Sequence, residues 1–586
     1  MKRHSFIISA IILTMGGFFA KAIGALYKIP LTNILGSSGI GLYYLVFPVY
    51  AIIITICSSG IAVAVATEVA KCRKLRHRYN EQKILQVAVV ITFLLSLVMT
   101  VVTLLVSKSL AELQGNINAK TGYIAIAPAI ILSSVIATVR GYFQGIENMV
   151  PTTVSLIIEQ VVKLSLGLIL AHKLAVFGMN YAVLGAIIGV TMSEVVAIIV
   201  ITINFILYKG QLDFNYRQLI SKVRRKIIPF GLIKKRYTLL SLKNTIEYKI
   251  FRCFKDRQRY TTKDAFRKIV KIAFPSTMSG LILPIATMLD SFFIINILVG
   301  SGISTITATS LYGLYGGVVQ SLISLPIIIV TAIATALVPS LSGLLVYNDT
   351  GEITHRTNFF IKVTWLVSIL AVVIVFVFAE GLISFLYGDG LNNIAINEFE
   401  YAVKLLRVSS ISIIYSAFLQ TNTAILQVIG GAAVPFWASL LALPIRIGLL
   451  YVLVAMPSIN IFGAVIANTV YLLLINFVLV MAIKKKISLK YHLYLHLLKP
   501  IIIGLVCLIS GLFLYTLISK ISSCIIAMIV AGIVIVSIYL FWVYFGKVMT
   551  IKEKGYFRKN RKITKNKQNL WNITIFRGFS ESGIFE

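Results

Sequence analysis

Gly41-Leu42-Tyr43 opens a long apolar stretch that closes on Ala62-Val63-Ala64-Val65-Ala66-Thr67. Ser310-Leu311-Tyr312 opens a second, which closes on Thr331-Ala332-Ile333-Ala334-Thr335. Further along, Gly185-Ala186-Ile187-Ile188-Gly189-Val190-Thr191 returns as Gly463-Ala464-Val465-Ile466-Ala467-Asn468-Thr469. The offsets are 269 and 278 residues. The chain therefore carries one set of apolar segments twice. Runs of about 20 apolar residues cross a bilayer as helices, because a helix satisfies its own backbone in lipid. A duplicated set of such helices is how many transporters build a central site that opens to alternate sides. Transport is the first functional expectation.

Composition agrees with that solvent. Of 586 residues, 58% are hydrophobic, and mean hydropathy is +0.92. A soluble domain rarely exceeds half apolar. The sequence predicts an all-α polytopic membrane protein with about fourteen spans: 6–27, 41–67, 84–106, 122–145, 152–172, 181–208, 269–299, 310–338, 359–379, 401–428, 433–455, 461–483, 497–519 and 522–545. Lys2 and Arg3 before the first run resemble the start of a signal peptide, but Lys21 and a second span follow closely, so an uncleaved first span is expected.

The net charge of +35 is concentrated. Residues 71–83, 209–268 and 547–586 contribute +26 of it. With the N-terminus inside, all three fall on the cytoplasmic side, as does Lys484-Lys485-Lys486, whereas 380–400 holds Glu380, Asp389, Glu398 and Glu400. The positive-inside rule predicts both ends in the cytoplasm of a cell-membrane protein. It also makes the repeats parallel. The basic excess is thus a topology signal before it is a ligand signal, and nucleic acid is not an expected partner. Residues 209–268 interleave Tyr216, Phe230, Tyr237 and Phe251 with the cations, which suits contact with anionic membrane lipids.

Several classes are excluded. There is no Gly-x-x-x-x-Gly-Lys-Ser/Thr loop, hence no ATP motor, and no extramembrane segment large enough for a catalytic domain. No cofactor is expected, and the protein is not expected to be an enzyme. His492 and His496 are four apart but lack further ligands, and the five cysteines show no metal spacing or disulfide framework, so no metal is expected.

Ionisable residues within spans are expensive and are functional candidates by default. Lys21 lies well inside span 1 and is assigned to a cavity. Lys28, at its outer end, is open between cavity and snorkelling to the interface. Lys163 is central in span 5 and Arg446 in span 11, the same helix of the other repeat. Two such cations are expected to face each other across a central cavity. Glu159 precedes Lys163 by one turn on the same face, either as a functional partner or as a neutralised pair that eases insertion. Arg140, near the end of span 4, is interfacial or functional. Glu68, Glu194 and Asp290 are the remaining anionic candidates, for charge pairing or ion coupling. Asp290 has three open roles: breaking the cationic field, binding an ion, or partnering Lys163. A cavity richer in cations than anions suits an anionic substrate.

Ala20-Lys21-Ala22-Ile23-Gly24 through Lys28-Ile29-Pro30, then Leu35-Gly36-Ser37-Ser38-Gly39-Ile40-Gly41-Leu42-Tyr43, resembles the opening of the stage V sporulation protein B family. That family sits in the multidrug/oligosaccharidyl-lipid/polysaccharide flippase superfamily, with the lipid II flippases. Relatives often carry Arg where Lys21 and Lys28 stand; Lys keeps the charge but not the bidentate fork. The resemblance spans roughly 1–208 and 265–545. It implies two six-helix lobes in a V, 1–208 and 269–483, joined by a basic loop at 209–268. It also implies an added helix pair within 484–545, before a basic tail at 546–586. Flipping of an undecaprenyl-pyrophosphate-linked glycan from the inner to the outer leaflet follows from the same resemblance, with lipid II as the first substrate and a role in spore cortex or wall synthesis. Sodium is thought to bind between spans 7, 11 and 12 in some relatives, which Arg446 opposes here. Competing expectations are a cation-coupled multidrug exporter, a membrane glycan polymerase, and a scaffold whose basic loop meets cell-wall synthesis proteins.

Overall fold

In a computed structural model the chain is described over residues 3–75, 77–227, 259–345, 350–388, 397–487 and 499–545. His492, His496, the tail and most of 209–268 lie outside the described residues. The N-lobe comprises α1 (Arg3–Ile54), α2 (Gly60–Lys74), α3 (Arg78–Leu113), α4 (Ala119–Gly145), α5 (Val150–Leu174) and α6 (Met179–Ile227). The C-lobe comprises α7 (Thr262–Gly280), α8 (Ile282–Gly300), α9 (Thr305–Gly313), α10 (Gln320–Leu345), α11 (Thr350–Val377), α12 (Ala379–Tyr387), α13 (Glu398–Ser409), α14 (Ser412–Val428), α15 (Val434–Ala455) and α16 (Phe462–Lys486). The pair α17 (Lys499–Ser519) and α18 (Cys524–Phe545) packs against α11 and α12. Single π-helical turns, Thr55–Ser59 and Leu314–Val319, join α1 to α2 and α9 to α10.

Among the described residues, 11 helices are long and apolar enough to cross a membrane, or 13 if each of two bent pairs is one span. The expected count of fourteen differs because the run Met15–Lys74, 60 residues long, holds the first two expected spans in one stretch of helix. At about 1.5 Å per residue a straight helix of that length would be roughly three bilayer cores long. Gly36, with φ 63° and ψ −176°, breaks it. The segment expected as an interlobe loop from residue 209 begins instead as a continuation of α6 to Ile227. It ends at a capping box, in which the Thr261 hydroxyl accepts from the Asp264 amide (3.1 Å) and Asp264 accepts from the Thr261 amide (3.0 Å).

In lipid the helices have no hydrophobic reason to associate, so small and hydroxyl-bearing residues mark the contacts. α3 shows the rule. Thr92, Ser96, Thr100, Thr103 and Ser107 are buried along one side, while Val90, Leu94, Val98, Val101 and Leu105 are exposed. Thr92 reaches Thr138 of α4 at 3.0 Å. The C-lobe repeats this contact: Thr364 of α11 meets Thr421 of α14 at 2.8 Å. The repeated glycine segments act alike too. A Cβ on Gly185 would lie 2.6 Å from the Leu170 carbonyl oxygen of α5, and one on Gly463 would lie 2.6 Å from the Leu453 carbonyl carbon of α15. The sixth helix of each repeat thus sits directly on the backbone of the fifth.

The two lobes meet at both ends rather than at one apex of an open V. At one end Asn116 donates to Thr309 (2.9 Å), Gln114 to Ser291 (3.0 Å), Asn33 to the Leu386 carbonyl (2.9 Å), and Ser37 to Glu398. Here the openings of the two repeats touch: Gly41 lies on the Thr309 carbonyl and Gly313 on the Ser37 carbonyl. At the other end, which carries Lys71, Arg73, Lys263, Arg267 and Lys268, Gly60 lies against Ala273 and Thr277 of α7. The Tyr260 amide there donates to Asn80 (2.9 Å).

A side chain at Gly41 must push two backbones apart. We expect Gly41→Val to destabilise by about 1–3 kcal/mol, the usual cost of overpacking. Gly17→Ala, whose Cβ meets nothing within 4 Å, should be neutral. Melting temperatures of the purified variants in one detergent check this.

Candidate functional site

α1 and α5 pack along a seam of small contacts. Gly16 abuts Thr153, Gly24 abuts Gln160, and Gly167 receives Tyr27. The α5 members of this seam are seven residues apart, two helical turns, so they share one face. This close approach places the aromatic run of α1 beside α5. Tyr43 stacks on Phe47 (4.3 Å between centroids), and Phe47 meets Tyr50 edge to face (6.0 Å). The Lys163 ammonium stands 5.3 Å from the Phe47 ring centre and 5.5 Å from that of Tyr27, within cation–π range. Lys28 stands 5.1 Å from the ring of Tyr44. Two lysines from different helices therefore flank one aromatic cluster.

Beside that cluster, α1, α5 and α6 enclose a cavity of about 400 Å³. Its lining includes Phe47, Tyr50, Thr55, Glu159, Lys163, Ser193 and Glu194. A second recess of about 350 Å³ lies among α11, α14 and α16 and is mostly apolar, with Trp365, Phe418, Asn422, Asn476 and Lys484 on its wall.

The charge pairing differs from the sequence reading. Glu159 turns to Arg140 of α4 (2.8 Å), each side chain 13% exposed, and not to Lys163. Arg140 also donates to Ser155 (2.7 Å), and Gln160 donates to the other Glu159 oxygen (2.9 Å). Arg140 is thus held between two partners on α5. Helix spacing brings Glu159 near Lys163, but a guanidinium from the neighbouring helix offers a better-aligned, charge-assisted bond. Asp290 pairs with Arg446 at 2.5 Å, with side chains 9% and 6% exposed, and not with Lys163. The Arg446 guanidinium also stacks 4.8 Å over Tyr471. Arg446 is not among the residues that line these two cavities. Glu68 pairs with exposed Lys71 (2.7 Å) at the basic end, away from the cavity. Lys21 is exposed on α1. The structure therefore brings together Lys28, Lys163, Glu159, Arg140 and Glu194, and leaves Lys21, Arg446, Asp290 and Glu68 elsewhere. The sequence reading missed Phe47, Tyr50 and Ser193. Aromatics at 43, 44, 47 and 50, three and four apart inside one span, were the signal for the first two.

Two family models divide the chain. Polysaccharide biosynthesis protein matches residues 7–234. Lipid II flippase MurJ matches residues 232–535, more than half of the 586 residues. The chain belongs to the lipid II flippase MurJ family. It is similar to stage V sporulation protein B of Bacillus subtilis (strain 168), 25% identical over 478 residues, covering 81% of this chain and 83% of that one. Its fold is shared by a lipid II flippase MurJ solved in an inward closed conformation, with TM-score 0.64 at 14% identity, covering 92% of this chain and 100% of that one. An inward-facing MATE family transporter of the MOP superfamily gives TM-score 0.60 at 14% identity, covering 82% of this chain and 98% of that one. The MurJ family is one of membrane transporters, not enzymes, and the protein is a multi-pass membrane transporter.

Buried ion pairs are costly to break because the survivor is left charged in a low dielectric. Replacing Asp290 with Ala should destabilise the protein by about 3–5 kcal/mol, and the double change Asp290→Leu with Arg446→Leu should recover most of that loss. Denaturation midpoints of the single and double variants read this directly.

Proposed function

We propose that the protein is a flippase for a lipid-linked glycan with a pyrophosphate bridge, moving it from the cytoplasmic to the outer leaflet by alternating access. The observation that carries this reading is the pair Lys28 and Lys163, two cations held over one aromatic cluster at a cavity wall, with no carboxylate in an ion pair with either among the described residues. A lysine ammonium binds phosphate as a point charge. Lys21, two turns before Lys28 on the same face of α1, extends the cationic track. Lys163 takes the diphosphate inside the cavity, Lys28 assists, and Lys21 guides the headgroup along the helix. Arg446 and Asp290 hold the C-lobe together. An inside-negative potential favours outward movement of each net negative charge by about 2.3 kcal/mol per 100 mV. Lipid II is the substrate we favour, on the family model matched by the C-terminal half of the chain. A role in the spore cortex is supported by the similarity to stage V sporulation protein B.

Transport of labelled lipid II in proteoliposomes tests the reading. Lys163→Ala and Lys28→Ala should each slow it about tenfold or more, the loss of one charge-assisted contact. Lys21→Arg should retain activity. Normal transport by both alanine variants would rule out the cationic site.

We also propose that both termini and the basic segment 209–268 face the cytoplasm, that the segment contacts anionic lipids or a wall-synthesis partner, and that 380–400 is outside. The cation asymmetry supports this orientation. Residues 235 and 393, which probe it, lie outside the described residues. A membrane-impermeant thiol reagent applied to intact cells should label a cysteine placed at Asn393 and spare one at Lys235; the reverse pattern would invert the topology.

A further inference from the structure

The cavity between α1, α5 and α6 is lined by two side chains of opposite charge that form no direct ion pair with each other. Lys163 approaches the Phe47 and Tyr27 rings, and no described side chain forms an ion pair or hydrogen bond with its ammonium. Glu194, on α6, lines the same cavity at 8% exposure, and none of the described hydrogen bonds or ion pairs involves its carboxylate. Of the other polar groups nearby, Arg140 is spent on Glu159 and Ser155, Gln160 covers the other Glu159 oxygen, and Lys28 stands over Tyr44. A buried carboxylate and a half-buried ammonium in one chamber, neither held in a direct bond, are each costly. One ligand carrying both complementary charges relieves both costs together. A purely anionic ligand satisfies Lys163 and adds repulsion at Glu194.

We propose that this cavity is a zwitterion site, in which Lys163 holds an anionic group and Glu194 holds an ammonium borne by the same ligand. The Tyr50 ring, on the same wall, is an aromatic group within the cavity for that ammonium to meet. A volume of about 400 Å³ takes a small headgroup of this kind rather than a whole glycan. The ligand class is an amine-bearing phosphate or carboxylate attached to a lipid. Two sources supply it: a lipid-linked glycan whose peptide stem carries a free amine, and a zwitterionic phospholipid headgroup. The inference deepens the flippase reading and rests on it only for which of the two passes through the cavity.

Soluble probes test the site without transport. Purified full-length protein in phosphatidylglycerol nanodiscs is titrated with phosphoethanolamine and with ethyl phosphate, which lacks the amine. The wild type should bind phosphoethanolamine about tenfold more tightly, as expected for one added charge-assisted contact. Glu194→Gln should remove that preference while leaving ethyl phosphate binding unchanged, and Glu194→Asp should keep part of it. Lys163→Gln should weaken both probes. Equal affinities in the wild type, a preference that survives in Glu194→Gln, or no binding of either probe overturns the proposal. A second arm measures movement of labelled lipid II with its stem amine free or acetylated, and of labelled phosphatidylethanolamine. A free-amine advantage that disappears in Glu194→Gln assigns the site to the glycan lipid. The same dependence seen for phosphatidylethanolamine assigns it to the phospholipid. Probe preference without movement of any lipid leaves the zwitterion site standing and removes the flippase reading.

Discussion

The ion pair between Arg140 and Glu159 decides what the N-lobe can do. It joins α4 to α5 and takes the one carboxylate that helix periodicity offers to Lys163. With that carboxylate engaged, Lys163 keeps its charge for the cavity and rests on the faces of Tyr27 and Phe47. Were the pairing to run along α5 instead, Arg140 would be stranded between helices and the cavity would lose its free cation. The C-lobe makes the opposite choice. Its central cation, Arg446, is locked on Asp290 and Tyr471. The two lobes repeat a pattern of helices but differ here: among the described residues one leaves its central cation without an ion pair and the other pairs its own.

Around these charges the bundle is held by contacts that tolerate motion. Hydroxyl pairs between helices, such as Thr92 with Thr138 and Thr364 with Thr421, are individually modest in a membrane. Glycines allow backbone to lie on backbone at Gly41, Gly60, Gly185 and Gly463. Neither device requires large side chains to change rotamer when lobes rock. The interlobe hydrogen bonds at the end opposite the basic loops are donated by Asn33, Ser37, Gln114 and Asn116, polar groups whose bonds water can replace.

The spans, the duplication and the family were legible in the sequence because each rests on a pattern repeated over many residues. Membrane helices leave long apolar runs, and equivalent helices keep equivalent glycines at 185 and 463. The ion pairs were not legible in the same way. Sequence spacing reports neighbours on one helix, so it offered Glu159 to Lys163, whereas the partner that wins comes from α4. Asp290 and Arg446 are 156 residues apart and meet only through tertiary packing. The first two spans were correctly seen as separate apolar runs, but Gly36 alone could not reveal that helical structure runs almost unbroken between them. The continuation of α6 to Ile227 was missed because its polar, basic composition reads as loop when the apolar stripe ends.

The π-helical turn Thr55–Ser59 carries a consequence for timing. It inserts one residue into a helix whose earlier part, Phe47 to Thr55, faces the cavity and whose later part, from Gly60, faces the other lobe. One extra residue rotates everything after it by about 100°. The same helix can therefore read the contents of the chamber on one side and form the seal at the basic end on another. Tightening that single turn to α-geometry would swing Gly60 off Ala273 and shift Thr55, which belongs both to the turn and to the chamber wall. The chamber wall and the contact with α7 thus share one continuous rod, out of phase by one residue.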